Sequence, residues 1–191
     1  MAFMAKQNAQ KHYNAGTRIL MNLNPSSSPK KDFIQAINHL QKAVELDLNS
    51  AHSYHNLGLA WYKLAEHEYF DISTHSQWKN MQEWEKSIED AIDTGHDDMV
   101  EKMREQYLKE HARDGLVTGY FVFALQAVDN ALALQYDFPQ AHNTRAMVLA
   151  KLGRLDEAIE ATEVALLQAP DYRNAIDNRE KMKELRRQSL E

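Results

Sequence analysis

The chain has no cysteine. That excludes disulfides, thiolate metal sites and a cysteine nucleophile. It carries only four prolines and six glycines in 191 residues, too few for the frequent turns of an all-β fold. A basic tract is also missing: Lys30-Lys31 and Arg186-Arg187 are small groups near acidic residues, and the net charge is −6. Nucleic-acid binding, which needs a basic face, is therefore not expected. No stretch approaches the roughly 18 apolar residues that span a bilayer. The longest apolar-leaning run, Leu116 to Leu134, is broken by Thr118, Gln126, Asp129 and Asn130. The start, Met1-Ala2-Phe3-Met4-Ala5-Lys6, shows no basic region leading into an apolar run, so no signal peptide is visible. A cytoplasmic protein without membrane insertion is the expectation. G-x-S-x-G, Walker A, G-x-G-x-x-G and H-E-x-x-H are all absent, so neither catalysis nor a cofactor is expected.

What is present is helical periodicity. Hydrophobic residues make up 43% and charged residues 26% of the chain, enough for one domain with a real core. From Pro139 onward, Ala141, Arg145, Ala146, Leu149 and Leu152 recur at three- and four-residue intervals and mark one helix face. Gly153 sits in a short turn and is free to take the left-handed conformation that ends a helix. Asp156 helps to start the next helix, whose buried face is Leu155, Ala158, Ile159, Thr162, Ala165 and Leu166. Pro170 closes the unit, with Asp171 placed to cap the last helix of the chain. Two such helices cannot bury both apolar faces alone, so neighbours must stack on them.

This segment resembles a tetratricopeptide repeat, about 34 residues long. Ala146, Leu149, Gly153, Leu155, Ala158, Ala165 and Pro170 fall where that family places its small, large, turn and proline residues. Tyr54, Leu57, Gly58 and Trp61 resemble the same family's W-x2-L-G-x2-Y first helix. Phe33, Ala36, Ile37, Leu40, Ala43 and Val44 read as a second helix, paired with one containing Ala15, Gly16 and Ile19. Ala124, Val128, Ala131 and Leu132 read as another second helix.

The resemblance implies an all-α, right-handed superhelical stack of antiparallel helix pairs. Residues 1–191 form a single domain, with repeats near 9–50, 51–98, 99–138 and 139–172 and a polar capping helix at 173–189. About nine helices are expected from this repeat count. Two inter-helix insertions interrupt the pattern: the Pro- and Ser-rich stretch from Asn24 to Lys31, and residues near 65–81. After the second, Trp84, Ile88 and Ala91 read as a helix face, although the family usually has alanine where Trp84 stands. A first helix near 98–112 rests on Met99, Met103, Tyr107 and Leu108, and Asp114-Gly115 is read as its end.

In this family the first helices line a concave groove that binds a protein or peptide. The family's groove positions fall on His52, His55, Asn56, Leu59 and Tyr62, on Gln140, Asn143, Thr144, Met147 and Ala150, and on Tyr13, Asn14, Thr17 and Leu20. The implied function is a non-catalytic adaptor or assembly scaffold. Asn56 stands where chaperone-binding members hold a C-terminal carboxylate, but Tyr13 and Thr17 replace the accompanying clamp residues, which disfavours that role. Two rival readings stay open. One is self-association into a homo-oligomer through the open repeat ends or the Trp78–Met81–Trp84 group. The other is a metal-dependent activity at His52 and His55, outweighed because a metal site needs three or four convergent ligands. Ser28-Pro29-Lys30-Lys31 reads as a solvated turn.

Overall fold

A computed structural model describes residues 2–75 and 97–189, with side-chain surroundings over 4–69 and 115–189. Seven helices and no strand are present among them: α1 (Ala2–Met21), α2 (Lys30–Leu46), α3 (Ala51–His75), α4 (Asp97–Leu134), α5 (Pro139–Lys151), α6 (Leu155–Gln168) and α7 (Arg173–Gln188). They pair as α1 with α2, α3 with α4, and α5 with α6, and α7 closes the stack against α6.

The pairings follow from small residues at the crossings. A Cβ on Gly16 would lie 2.7 Å from Leu40 Cγ, and one on Gly58 would lie 2.5 Å from Val128 Cγ2 and 3.0 Å from the Ala124 carbonyl. Ala146, fully buried, plays the same part between α5 and α6. Around each crossing the large side chains fill the gaps, as close packing requires. Phe33, Leu20, Leu40 and Leu64 form the centre of the first cluster. The apolar stripe read for α2 is buried at all six positions. In α6, Ala158, Ile159, Thr162 and Ala165 are buried, whereas Leu155 and Leu166 are half-exposed.

The loop from Asn22 to Pro29 is organised by Asn24, whose Oδ1 accepts from the Ser26 backbone amide and hydroxyl while the Asn24 backbone N–H donates to Ser28 Oγ. Gly153, at φ +75°, makes the left-handed turn after α5. Asp171 does not cap α7: Tyr172 occupies that position, and no side chain bonds the helix start.

The middle of the chain departs from expectation. Asp114-Gly115 ends nothing. One helix runs unbroken from Asp97 to Leu134, and Gly153 alone has a positive φ among the described residues. A glycine inside a helix costs about 1 kcal/mol, too little by itself to end one. Residues 99–138 are therefore not a helix pair of their own. The part of α4 beyond Gly115 is the partner of α3, crossing it at Gly58 and packing Val117 and Phe121 against Tyr62 and Ala65. Likewise α3 continues through the start of the expected insertion to His75. The stack of the described residues is thus three pairs and a cap, with the insertion inside the second pair. The expected helix around Trp84, Ile88 and Ala91 lies outside the described residues.

The expectation about long apolar stretches is also corrected. By length and mean hydropathy Gly115–Leu134 is long and apolar enough to cross a membrane, because its four polar breaks do not offset its valines, leucines and phenylalanines. In this fold Val117, Phe121, Ala124, Val128 and Ala131 are buried.

Two glycine substitutions test this arrangement. Gly58→Ala forces a methyl onto Val128 and the Ala124 carbonyl, and should lower unfolding free energy by about 1–3 kcal/mol. Gly115→Ala meets nothing within 4 Å and should raise it by roughly 0.5–1 kcal/mol. Urea unfolding reads both; a loss at Gly115 would mean that a helix ends there.

Candidate concave site

The first helices of the three pairs, α1, α3 and α5, lie side by side with α7, and single side-chain hydrogen bonds link each to the next. Asn56 Nδ2 donates to Thr17 Oγ1 at 2.9 Å, joining α3 to α1. His55 Nε2 and Thr144 Oγ1 lie 3.0 Å apart, joining α3 to α5. Asn178 Nδ2 donates to Asn143 Oδ1 at 2.9 Å, joining α7 to α5. The Thr144 hydroxyl donates to the Gln140 carbonyl at 2.9 Å. Its oxygen must therefore accept from His55, which places a proton on Nε2 of that imidazole.

The residues mapped onto the groove divide by exposure. His55, Asn56, Tyr62, Asn143 and Thr144 are buried, and the first two and last two serve this ladder of hydrogen bonds. Tyr62 packs against Phe121; burial, with the Glu66 carboxylate beside it, raises the pKa of its hydroxyl. Tyr13, Leu59 and Met147 are half-buried, and His52 and Gln140 are exposed. Of the further groove positions, Thr17 joins the ladder, Leu20 is fully buried, and Ala150 packs against the α5–α6 core. His52 and His55 do not converge on a common point. Both rings lie against Phe138, at 4.9 and 4.8 Å, while His55 is bonded to Thr144. Among the described residues no three His, Asp or Glu side chains come together as a metal site would need.

The structure does bring Tyr13 and His52 together. They line a cleft of ≈ 320 Å³ between α1 and the start of α3, with Lys6, Gln10, Asp47 and Ser53. The last four do not stand out in the sequence. Lys6 precedes the first repeat and Gln10 lies just inside it, and no repeat signature flags either position.

Three lysines tie the elements of the stack together. Lys63 Nζ donates to the Leu20 and Leu23 carbonyls at 3.2 and 2.8 Å, closing the end of α1, and burial lowers its pKa. Lys30 pairs with the buried Glu68 at 2.8 Å. Lys151 pairs with Glu66 at 2.6 Å and lies over the Tyr69 ring. With His67 Nδ1 bonded to the Pro25 carbonyl at 2.7 Å, the continuation of α3 is tied to the first pair on one side and to α5 on the other.

The model of one family, the tetratricopeptide repeat, matches residues 139–172. No curated protein matches the chain in sequence. Similar solved structures include the Arabidopsis OM64 TPR domain, at 14% identity and a TM-score of 0.60, covering 94% of this chain and 98% of that one. The first TPR of Spaghetti (RPAP3), bound to the HSP90 peptide SRMEEVD, is 14% identical with a TM-score of 0.59 and 94% coverage of both chains. The second TPR domain of human RPAP3, in complex with the HSP70 peptide SGPTIEEVD, is 14% identical with a TM-score of 0.56, covering 96% of this chain and 98% of that one. At these identities the likeness establishes the fold.

The ladder makes stability depend on pH. Burial lowers the His55 pKa from 6.5 to about 4, His52 adding to the effect and bonds to Asn56 and Gln140 opposing it. The unfolded chain takes up this proton near 6.5 and the folded chain only near 4. Stability from neutral His55 is therefore full above the unfolded value and is lost as pH falls through that window, by about 3 kcal/mol. Urea unfolding between about pH 4 and 7.5 should show this slope, and His55→Gln should flatten it; an unchanged slope would remove His55 as its source.

Proposed function

We propose that this tetratricopeptide-repeat protein, with one repeat matched at residues 139–172, is a non-catalytic adaptor that binds an extended segment of a partner protein along α1, α3 and α5. The observation that carries this reading is the division of the concave face. Its buried polar groups are bonded to one another, while Tyr13, His52, Gln140 and Met147 keep exposed or half-exposed surface above them. Such a face offers hydroxyl, imidazole and amide groups to a peptide backbone from a floor that does not need to rearrange, which lowers the ordering cost of binding. Peptide complexes of two structural neighbours support the same use of the fold.

The peptides in those two complexes both end in Glu-Glu-Val-Asp. A different partner is proposed here. Tyr13, Thr17, Gln140 and Thr144 bring no charge to the face, Lys30, Lys63 and Lys151 are committed to carboxylates or helix carbonyls, and Lys6 shares its cleft with Asp47. An acidic chain end would find little compensation for its lost hydration. The groove suits an internal segment with uncharged side chains at the centre. Catalysis forms no part of the proposal, and a cytoplasmic setting is the one it assumes.

Single substitutions test the site. His52→Ala, Gln140→Ala and Tyr13→Ala should each weaken binding of the native partner segment roughly 5–30-fold, as interface anchors do, with little change in melting temperature. Calorimetric titration of a segment identified by cross-linking from the intact complex reads the loss. Unchanged affinity in all three variants would sink the groove assignment. An amidated and a free-acid version of the same segment should bind equally.

A further inference from the structure

The opposite side of the stack carries a second surface. No Cα of α2 comes within 8 Å of one in α4 among the described residues, although both pack on α3. The gap between them is a cleft of ≈ 450 Å³, floored by Tyr54, Leu57 and Trp61 of α3. Its walls are helical stripes. On α2 and the residues just beyond it, Gln41, Val44 and Leu48 succeed one another at intervals of three and four. On α4, Leu116, Tyr120, Phe123, Ala127, Asn130 and Leu134 are spaced by four, three, four, three and four. That is the spacing with which one helix presents a seam to another.

Val44 and Ala127 form the buried base of these stripes, and the side chains around them are exposed. Leu48 is 63% exposed, Phe123 49%, Leu116 46% and Leu134 44%. Tyr120 and Phe123 are held in place by ring contacts with Trp61 at 5.5 and 5.3 Å. A run of fixed, exposed apolar groups on one face is the usual mark of an interaction surface. Among the described side chains lining the cleft, Glu45 is the single charged one. Its partner is Lys42, three residues back on the same helix at 3.0 Å, with both side chains half-exposed. Such a surface pair is weak, so the Glu45 carboxylate can be taken over by an incoming cation.

We propose that the cleft between α2 and α4 docks an amphipathic helix of a partner protein, with apolar anchors set between Leu48 and Phe123 and a lysine or arginine flanking them at Glu45. The cleft holds a few side chains rather than a whole helix, as in helix-in-groove recognition by residues at i, i+3 or i+4, and i+7. The acidic rim argues against a lipid surface, which attracts basic groups. This surface is separate from the concave face, and its test stands apart from that of the groove.

The probe is a synthetic end-blocked amphipathic helix with leucine at its seam positions and lysine at the flanks, alongside a counterpart with glutamate at the flanks. Each is titrated into the full ¹⁵N-labelled chain. The lysine peptide should shift amide signals of Gln41, Leu48, Gln126 and Asn130 and bind at least about 5-fold tighter than the glutamate peptide. Glu45→Lys should reverse that order. Leu48→Arg and Phe123→Arg should each weaken binding about 10-fold or more, Leu48 serving as the safer variant because it lies outside the core. Equal binding of both peptides to wild type and Glu45→Lys, shifts confined to His52 and Gln140, or no binding of the lysine peptide would overturn the proposal. Sedimentation showing a dimer that Leu48→Arg dissolves would give the cleft to a second copy instead, and also overturn it.

Discussion

The close crossing of α3 and α4 at Gly58 is the constraint on which the rest of the structure depends. With no side chain at Gly58, the Ala124 carbonyl and Val128 approach the α3 backbone closely enough to leave no room for a methyl group. That approach fixes an antiparallel register in which Trp61 meets Tyr120, Tyr62 meets Phe121, and Ala65 shares a cluster with Val117. The register in turn presents His55 and Asn56 to the neighbouring first helices and Trp61 to the opposite cleft. Residues far apart in sequence are thus locked as one repeat, and the material between them is carried as an insertion. The cost of closing such a long connection grows only slowly with its length, so a well-packed crossing is able to hold it.

The polar ladder explains why the concave face is pre-formed. A buried amide or hydroxyl without a partner costs about 1–3 kcal/mol, so each of these groups must be answered from the adjacent helix. Thr17, Asn56, His55, Thr144, Asn143 and Asn178 do so across four helices. The pattern also fixes geometry: a hydrogen bond tolerates little change in length or angle, so the spacing and tilt of α1, α3, α5 and α7 are coupled. What is left for a partner is the set of side chains above the ladder. The imidazole of His55 belongs to the scaffold, whereas that of His52, three residues away on the same helix, is presented to solvent.

Much of the fold was legible because the strongest signals are local. The small residues at Gly16, Gly58 and Ala146, the left-handed Gly153 and the α2 stripe each declare a helix pair within a short window. The middle failed for a physical reason. Asp-Gly is a sound breaker signal in isolation, but one helical glycine costs only about 1 kcal/mol, too little to end a helix that continues on both sides. With Gly115 read as an end, the residues before it looked like a first helix and the α3–α4 pairing could not be seen. The site was legible in position and not in role. Repeat numbering located the concave residues, yet nothing in the sequence distinguishes Asn56, bonded to Thr17, from His52, left exposed. That distinction depends on which side chains the neighbouring helix supplies. Lys63 shows the same limit: its commitment to the end of α1 depends on a turn about forty residues earlier in the chain.

The distribution of charge ties the two faces together. The chain sets 22 lysines and arginines against 28 aspartates and glutamates, and three of the lysines lie at the joints between repeats and hold α3 to its neighbours. Lys30 meets Glu68, Lys63 meets the end of α1, and Lys151 meets Glu66. Among the described residues this leaves Lys6, beside Asp47, as the lysine of the Tyr13–His52 cleft, so recognition there rests more on hydrogen bonding and shape than on charge. On the other side Glu45 pairs with a neighbour on its own helix. The two faces therefore differ in preference: uncharged segments suit the side where these lysines are engaged, and a basic flank suits Glu45, whose pairing with Lys42 is an exposed one.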